Sequence, residues 1–293
     1  MRFLSFGSVN RDIVYAVDHI VREGETISSA RRTEGWGGKG ENQGIALARA
    51  GAETYLAARV AQSDLAPLSA LLREQYGIDP RYLAPSEEPT GHAIIQVNTA
   101  GQNCIIVYPG ANRTMDEAYI AQVLSGFEAG DVVLLQNEIN AVPEIIRQAK
   151  ARGLRVALNP SPFTEEILTW PLELVDLFVL NEVECRSFCG AEDALALRAR
   201  YPGAEVVLTL GGRGSVFAGQ AGVFHQGIYK VKAVDTTAAG DTFTGYFLRS
   251  YYEGGDPARA LDLAAKAAAI TVSRSGAAAS IPAAAEVAAF SAT

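Results

Sequence analysis

The chain has few of the residues that mark several large protein classes. Its 293 residues hold only three cysteines, Cys104, Cys185 and Cys189. So sparse and odd a set argues against a disulfide framework and for a reducing compartment, and a cytoplasmic location is expected. Histidine is equally scarce, with His19, His92 and His225. Cys185 and Cys189 stand four apart in CRSFC and would share a helix face, but no histidine lies near them in sequence. They read as buried apolar cysteines rather than zinc ligands. Lys and Arg nowhere cluster beyond the pair Arg31–Arg32, and the formal net charge is −8. Nucleic-acid binding needs a concentrated basic surface, so that class is disfavoured. No run of 18 uncharged apolar residues exists. The alanine-rich LDLAAKAAAITV is broken by Lys266 and reads as a core helix rather than a membrane span. The opening MRFLSFGSVNRD has an apolar run too short for a signal peptide.

What is present is a large apolar fraction, 48%, enough to bury a sizeable core. Short β-branched runs, nearly all apolar, fall at 3–7, 54–60, 131–136, 155–159, 176–181 and 205–210. Helical patterns fall between them, at 42–51, 64–76, 116–126, 142–152 and 191–201, and again at 240–253, 257–273 and 283–291. This alternation predicts an α/β fold, a mainly parallel sheet with helices on both faces. Two segments break it. Residues 10–35 are polar and β-forming, and 90–108 read as a hairpin around NTAGQN. Together they are expected to form a small β-sheet lid on a single domain spanning 1–293, with an apolar face able to pair with another chain.

Six stretches carry candidate chemistry. EGWGGKGENQG (34–44) matches G-x-G-x-x-G, yet SSARRTE precedes it instead of an apolar strand. It also fails the nucleoside-triphosphate loop, because Gly40 follows Lys39 where Ser or Thr is needed. What remains is either a loop where backbone approaches something closely, with Lys39 and Asn42 as donors beside it, or a plain tight entry into helix 42–51. In VDTTAAGDTFTGYF (234–247), small residues precede Asp241 at a helix start. Amides of 239–241 there would favour an anion, and Asp241 is either a proton acceptor beside it or a plain N-cap. LTLGGRGS (208–215) ends a strand in a Gly-rich turn, either a nucleotide edge or a hairpin into SVFAG, and NEVE (181–184) is either a donor cluster or a helix cap. GSVNRD (7–12) places Asn10 and Asp12 on one face of extended chain, and LQNE ends a strand at Glu138. Carboxylates and amides at strand C-termini suit a polyhydroxylated ligand.

GGKGENQGIALARAGA (37–52) and DTTAAGDTFTGYF (235–247) resemble the two signatures of the ribokinase, or PfkB-type, family of carbohydrate kinases, and the likeness runs over essentially the whole chain. The resemblance implies a three-layer α/β/α domain with a β-sheet lid used for homodimer contacts, and ATP-dependent phosphorylation of a sugar hydroxyl. It implies Asp241 as catalytic base and Ala238, Ala239 and Gly240 as an anion hole. It places Asn10, Asp12, Gly38, Lys39, Asn42 and Glu138 on the sugar, and Asn181, Thr209, Gly211 and Gly214 on ATP, with Glu184 near the magnesium hydration shell. A potassium ion would sit by Asp235, Thr237, Thr271, Arg274, Gly276 and Ser280, largely on backbone carbonyls. Lys39 followed by Asn42-Gln43 is closest to ribokinases proper, which points to D-ribose. Two departures bear on the sugar: Glu41 stands where the family generally has a small residue, and Asn137 where ribokinases usually have an aliphatic one. The alternatives are a kinase of another sugar or of a nucleoside, a non-catalytic sugar-binding protein on the same scaffold, and, more distantly, a dinucleotide oxidoreductase.

Overall fold

Strands that read as unbroken apolar runs do so because both of their faces are covered. The computed structural model describes residues 1–291. In chain order, β1 (Phe3–Phe6) is followed by β2 (Asn10–Ala16), β3 (Arg31–Gly37), α1 (Lys39–Arg49), β4 (Thr54–Ala61), α2 (Gln62–Tyr76), β5 (Leu83–Ser86), β6 (Gly91–Val97) and β7 (Asn103–Tyr108). Then come α3 (Glu117–Leu124), β8 (Val132–Gln136), α4 (Val142–Ala151), β9 (Arg155–Asn159), β10 (Leu177–Asn181), α5 (Glu182–Cys189), α6 (Ala194–Arg200), β11 (Glu205–Thr209), β12 (Ser215–Gly219) and β13 (Gly222–Gln226). The rest is helical: α7 (Ala239–Gly254), α8 (Pro257–Val272) and the short α9 (Ala284–Ala288).

The main sheet has nine strands in the order β13-β12-β11-β10-β9-β8-β1-β4-β5. It is parallel from β5 to β11 and closes with two antiparallel strands. Side chains alternate between two cores. In β8, Val132 and Leu134 pack with Phe243 and Phe247 of α7 and Leu261 of α8, while Val133 and Leu135 pack with Ile145 and Ile146 of α4. This is the expected three-layer α/β/α architecture.

A separate sheet of order β3-β2-β6-β7 carries the two segments that broke the alternation. β6 and β7 form the expected hairpin, and β2 pairs β6 in parallel. On β7, Ile105, Ile106, Val107 and Tyr108 all face solvent.

Several elements differ from their expected bounds. β5, β12 and β13 were not expected as strands of the main sheet: β5 is a four-residue edge containing Pro85, and β12–β13 is the hairpin into SVFAG. NEVE proves to be a helix cap, because Asn181 and Glu184 form a reciprocal capping box at α5. α6 starts only at Ala194, where the Asp193 side chain accepts from Leu195 N. Helix 283–291 shortens to Ala284–Ala288. Cys185 and Cys189 share a face of α5 with sulfurs 3.8 Å apart, but Cys189 is only half-buried. Among the described residues no helix is long and apolar enough to cross a membrane, and no cluster of His, Cys, Asp and Glu is arranged to hold a metal.

Candidate active site

Parallel strands bring their C-terminal ends to one edge. β1 there leads into Gly7–Asn10, β8 into Glu138, β9 ends at Asn159, β10 at Asn181 and β11 at Thr209. α1 starts tight against this edge. A β-carbon on Gly40 would lie 2.3 Å from Ser8 N, and one on Gly7 would lie 2.1 Å from Gln136 Oε1. Gly38, at φ 99°, makes the turn into the helix.

α7 crosses α1 at equally close range. A β-carbon on Gly245 would meet the Ala46 side chain at 2.5 Å, so only glycine permits the approach. One turn earlier on each helix, the same crossing brings Asn42 and Gln43 to Asp241. Asn42 Nδ2 donates to Asp241 Oδ2 at 3.1 Å and Gln43 Nε2 to Oδ1 at 2.9 Å. Asp241 is buried in the first turn of α7, whose opening amides have no acceptor within the helix. Of the three amides expected to hold an anion, that of Ala239 donates to Thr236 O at 3.3 Å, which leaves those of Gly240 and Asp241. Ala238, at φ 59°, holds the left-handed conformation that favours glycine.

On the lid side, Glu138 binds the loop that α1 leaves. It accepts from Lys39 N at 2.9 Å and from the Ser8 hydroxyl. Asn10 is fixed by Asn112, whose Nδ2 donates to Asn10 Oδ1 at 2.8 Å and whose Oδ1 accepts from Val9 N at 3.0 Å. Burial, reinforced by the charge of Glu138, pushes the Asp12 carboxyl up to about 6. Burial alone would pull the Lys39 ammonium down, but the charges of Asp241, Glu138 and Glu184 outweigh it and hold it above its usual value.

A cavity of about 240 Å³ opens between these elements. Lys39, Ala238, Gly240 and Asp241 line it together with Asn181, Glu184 and Thr209. A larger depression of about 610 Å³ over Ala61–Ser63 and Pro85–Pro89 holds no expected site residue. Asn10, Asp12, Gly38, Asn42 and Glu138 lie outside the 240 Å³ cavity, and so do Gly211 and Gly214 of the exposed turn before β12. Asp235 ties two further loops together: it accepts from Thr237 N at 2.9 Å and from Gly276 N at 3.0 Å. Nearby, the Thr271 hydroxyl turns in to Thr242, the Ser280 hydroxyl bonds Ala277 O, and the Arg274 guanidinium pairs with Glu286. Any cation there would rest on main-chain carbonyls.

With this geometry in view, the chain was compared with known proteins. The family model of pfkB carbohydrate kinases matches residues 2–284. The chain belongs to the pfkB family of carbohydrate kinases. The ribokinase of Staphylococcus aureus is 38% identical over 94% of this chain and 95% of its own length. The crystal structure of a ribokinase from Thermotoga maritima superimposes with a TM-score of 0.85 at 34% identity, covering 99% of this chain and 98% of its own. The structure of Arabidopsis thaliana ribokinase complexed with ribose and ATP gives 0.84 at 31% identity, covering 99% of each chain.

In this pfkB-family kinase, both departures from the expected pattern are buried. Neither carboxylate oxygen of Glu41 has a partner, and burial, reinforced by the charge of Asp12, raises its carboxyl well above the usual range. Asn137 donates to Pro162 O at 2.7 Å and Thr164 Oγ1 at 3.2 Å, so it clamps a loop. The sequence reading missed Ser8, Asn112, Gln43, Gln136 and Asn159. Gln43, Ser8 and Gln136 stood inside quoted motifs, and the glycines packed against Ser8 and Gln136 were the available signal. Asn112 carried none, since its partners are about a hundred residues away in sequence.

Proposed function

We propose that this kinase transfers the γ-phosphoryl group of ATP to the 5-hydroxyl of D-ribose. The observation that carries this reading is Asp241, buried beside the open first-turn amides of α7 in a cavity that Asn181, Glu184 and Thr209 also line. The ribose–ATP complex of the Arabidopsis relative supports the choice of substrates.

In this reading the sugar lies among Asn10, Asp12, Gly38, Lys39, Asn42 and Glu138, with its hydroxyl at Asp241. Asp241 takes the proton as the oxygen attacks phosphorus in line. The amides of Gly240 and Asp241 and the Lys39 ammonium face the charge spread over the transferred group. Asn181, Thr209, Gly211 and Gly214 hold the nucleotide. The small sheet closes over the sugar and excludes water, the competing acceptor. Magnesium arriving with ATP would neutralise phosphate charge, and Glu184 suits its hydration shell because it lines the cavity with one carboxylate oxygen committed to Asn181 N. Potassium would fit the loops joined by Asp235, on the carbonyls of Asp235, Thr237, Thr271, Arg274, Gly276 and Ser280. The apolar outer face of β7 suits a second copy of the chain, giving a homodimer through the lid. Free cysteines suit a cytoplasmic enzyme.

A panel of ATP-coupled assays with ribose, 2-deoxyribose, fructose, ketodeoxygluconate and nucleosides, with and without potassium, tests the reading. Ribose should give the highest kcat/KM, its product a primary phosphomonoester by phosphorus NMR. Clear preference for a nucleoside or hexose would overturn the assignment of ribose.

A further inference from the structure

Two amides on consecutive residues hold the two oxygens of Asp241, but they are supported very differently. Asn42 Oδ1 is buried without a partner. Gln43 has none of its capacity to spare. Its Nε2 spans Asp241 Oδ1 at 2.9 Å and Asn159 Oδ1 at 2.8 Å, and its Oε1 accepts from Gln136 Nε2 at 2.8 Å. Asn159 is in turn pinned by its Nδ2, which donates to Val179 O at 2.8 Å. Gln43 and Gln136 are fully buried.

We propose that Gln43 is a positioning residue that fixes the carboxylate plane of Asp241, and that Gln136, at the end of β8, fixes Gln43. The chain of bonds has one direction. Flipping the Gln43 amide would set its oxygen against the carboxylate and against Asn159 Oδ1, and its nitrogen against Gln136 Nε2. The charge on Asp241 therefore selects one orientation, and Gln136, packed against Gly7 with its own Oε1 buried and unpartnered, holds Gln43 Oε1 through Nε2 from the opposite side. Rotation of a carboxylate about its terminal torsion is otherwise nearly free. With one oxygen anchored by Gln43, the carboxylate keeps its aim while Asn42, with an unpartnered oxygen, stays available to the sugar. The two adjacent amides thus divide the work: Gln43 aims the base, and Asn42 serves the substrate. Gly7 is part of the arrangement, since any β-carbon there would displace Gln136.

This inference rests on Asp241 being the base, and its test separates the two. In the full-length protein, Gln43→Leu should lower kcat about 10- to 100-fold with KM for ribose and for ATP within about threefold. Gln136→Leu should lower kcat about three- to tenfold, and the double variant should match Gln43→Leu within about twofold, because Gln136 acts only through Gln43. Asn42→Ala should instead raise the ribose KM about tenfold or more. Independently of turnover, the side-chain NH₂ of Gln43, assigned by its absence in Gln43→Leu, should exchange slowly with solvent and exchange faster in Gln136→Leu and in Asp241→Asn. Should Gln43→Leu fail to fold, Gln136→Leu carries both the kinetic and the exchange readouts. Wild-type kcat in Gln136→Leu with unchanged Gln43 exchange, or effects of the two variants that multiply, would overturn the proposal. A wild-type enzyme that phosphorylates no sugar, with the exchange pattern as stated, would overturn the function and leave the relay standing.

Discussion

The glycine-rich stretches at 35–44 and 211–214 look alike in sequence and differ in burial in the fold. In the first, Gly40 presses on the backbone of Ser8, Gly37 lies against the Asp12 carboxyl, and Glu41, Asn42 and Gln43 are buried. In the second, Gly211, Gly212 and Arg213 are exposed and a β-carbon on Gly212 would meet nothing within 4 Å, and only Gly214 is pressed on backbone, where a β-carbon would lie 2.0 Å from Gln226 O. A sugar is distinguished by the positions of its hydroxyls, so its wall has to be rigid to fractions of an ångström. A nucleotide laid along a turn asks for room more than for register. The buried stretch spends its glycines mainly on close packing, and the exposed one divides them between open backbone at Gly211 and Gly212 and one close approach at Gly214.

Substitutions should break this contrast in graded fashion. Gly40→Ala is expected to have the largest effect, because its β-carbon would collide with main chain that cannot swing aside. It should cost about 3 kcal/mol, the upper end for overpacking, seen as a lowered denaturant midpoint, and ribose KM should rise more than tenfold. Next comes pH. With the Asp12 carboxyl at about 6, kcat/KM for ribose should fall about tenfold per unit below pH 6. Asp12→Asn should remove that limb and bind ribose poorly at every pH. The stability effect has the opposite sense. A carboxyl raised from 3.8 to about 6 by folding contributes stability below 3.8 that is lost as pH rises through 6, so Asp12→Asn should raise the melting temperature at pH 8 but not at pH 3.5. The smallest effect belongs to Gly212→Ala, expected to change KM for ATP by less than about twofold. A large change there would mean that the exposed turn is as constrained as the buried one.

Most of the frame of this site was legible in the chain. The apolar runs of β1, β8, β9, β10 and β11 have period and length that leave little choice of fold, and parallel pairing puts their ends on one edge. Asp241 could be placed at a helix start from local pattern alone. The structural side of the two-sided readings became visible only in three dimensions: NEVE is a cap that also faces the cavity, and LTLGGRGS turns into the β11–β12 hairpin. Partners that meet across the fold left no local trace. Gln43 finds Gln136 and Asn159 about a hundred residues away, and Asn10 finds Asn112. Asn42 looked like a plain sugar donor because Asp241 lies 199 residues on. The full burial of Glu41 left no local trace either.

The central claim is that a sugar hydroxyl gives its proton to Asp241. It is tested most directly by the kcat of Asp241→Asn with ribose and ATP, measured beside its melting temperature. The account predicts a fall of about 10²- to 10⁴-fold, the range for loss of a general base, with melting close to wild type. Retention of most activity in a folded variant would contradict it.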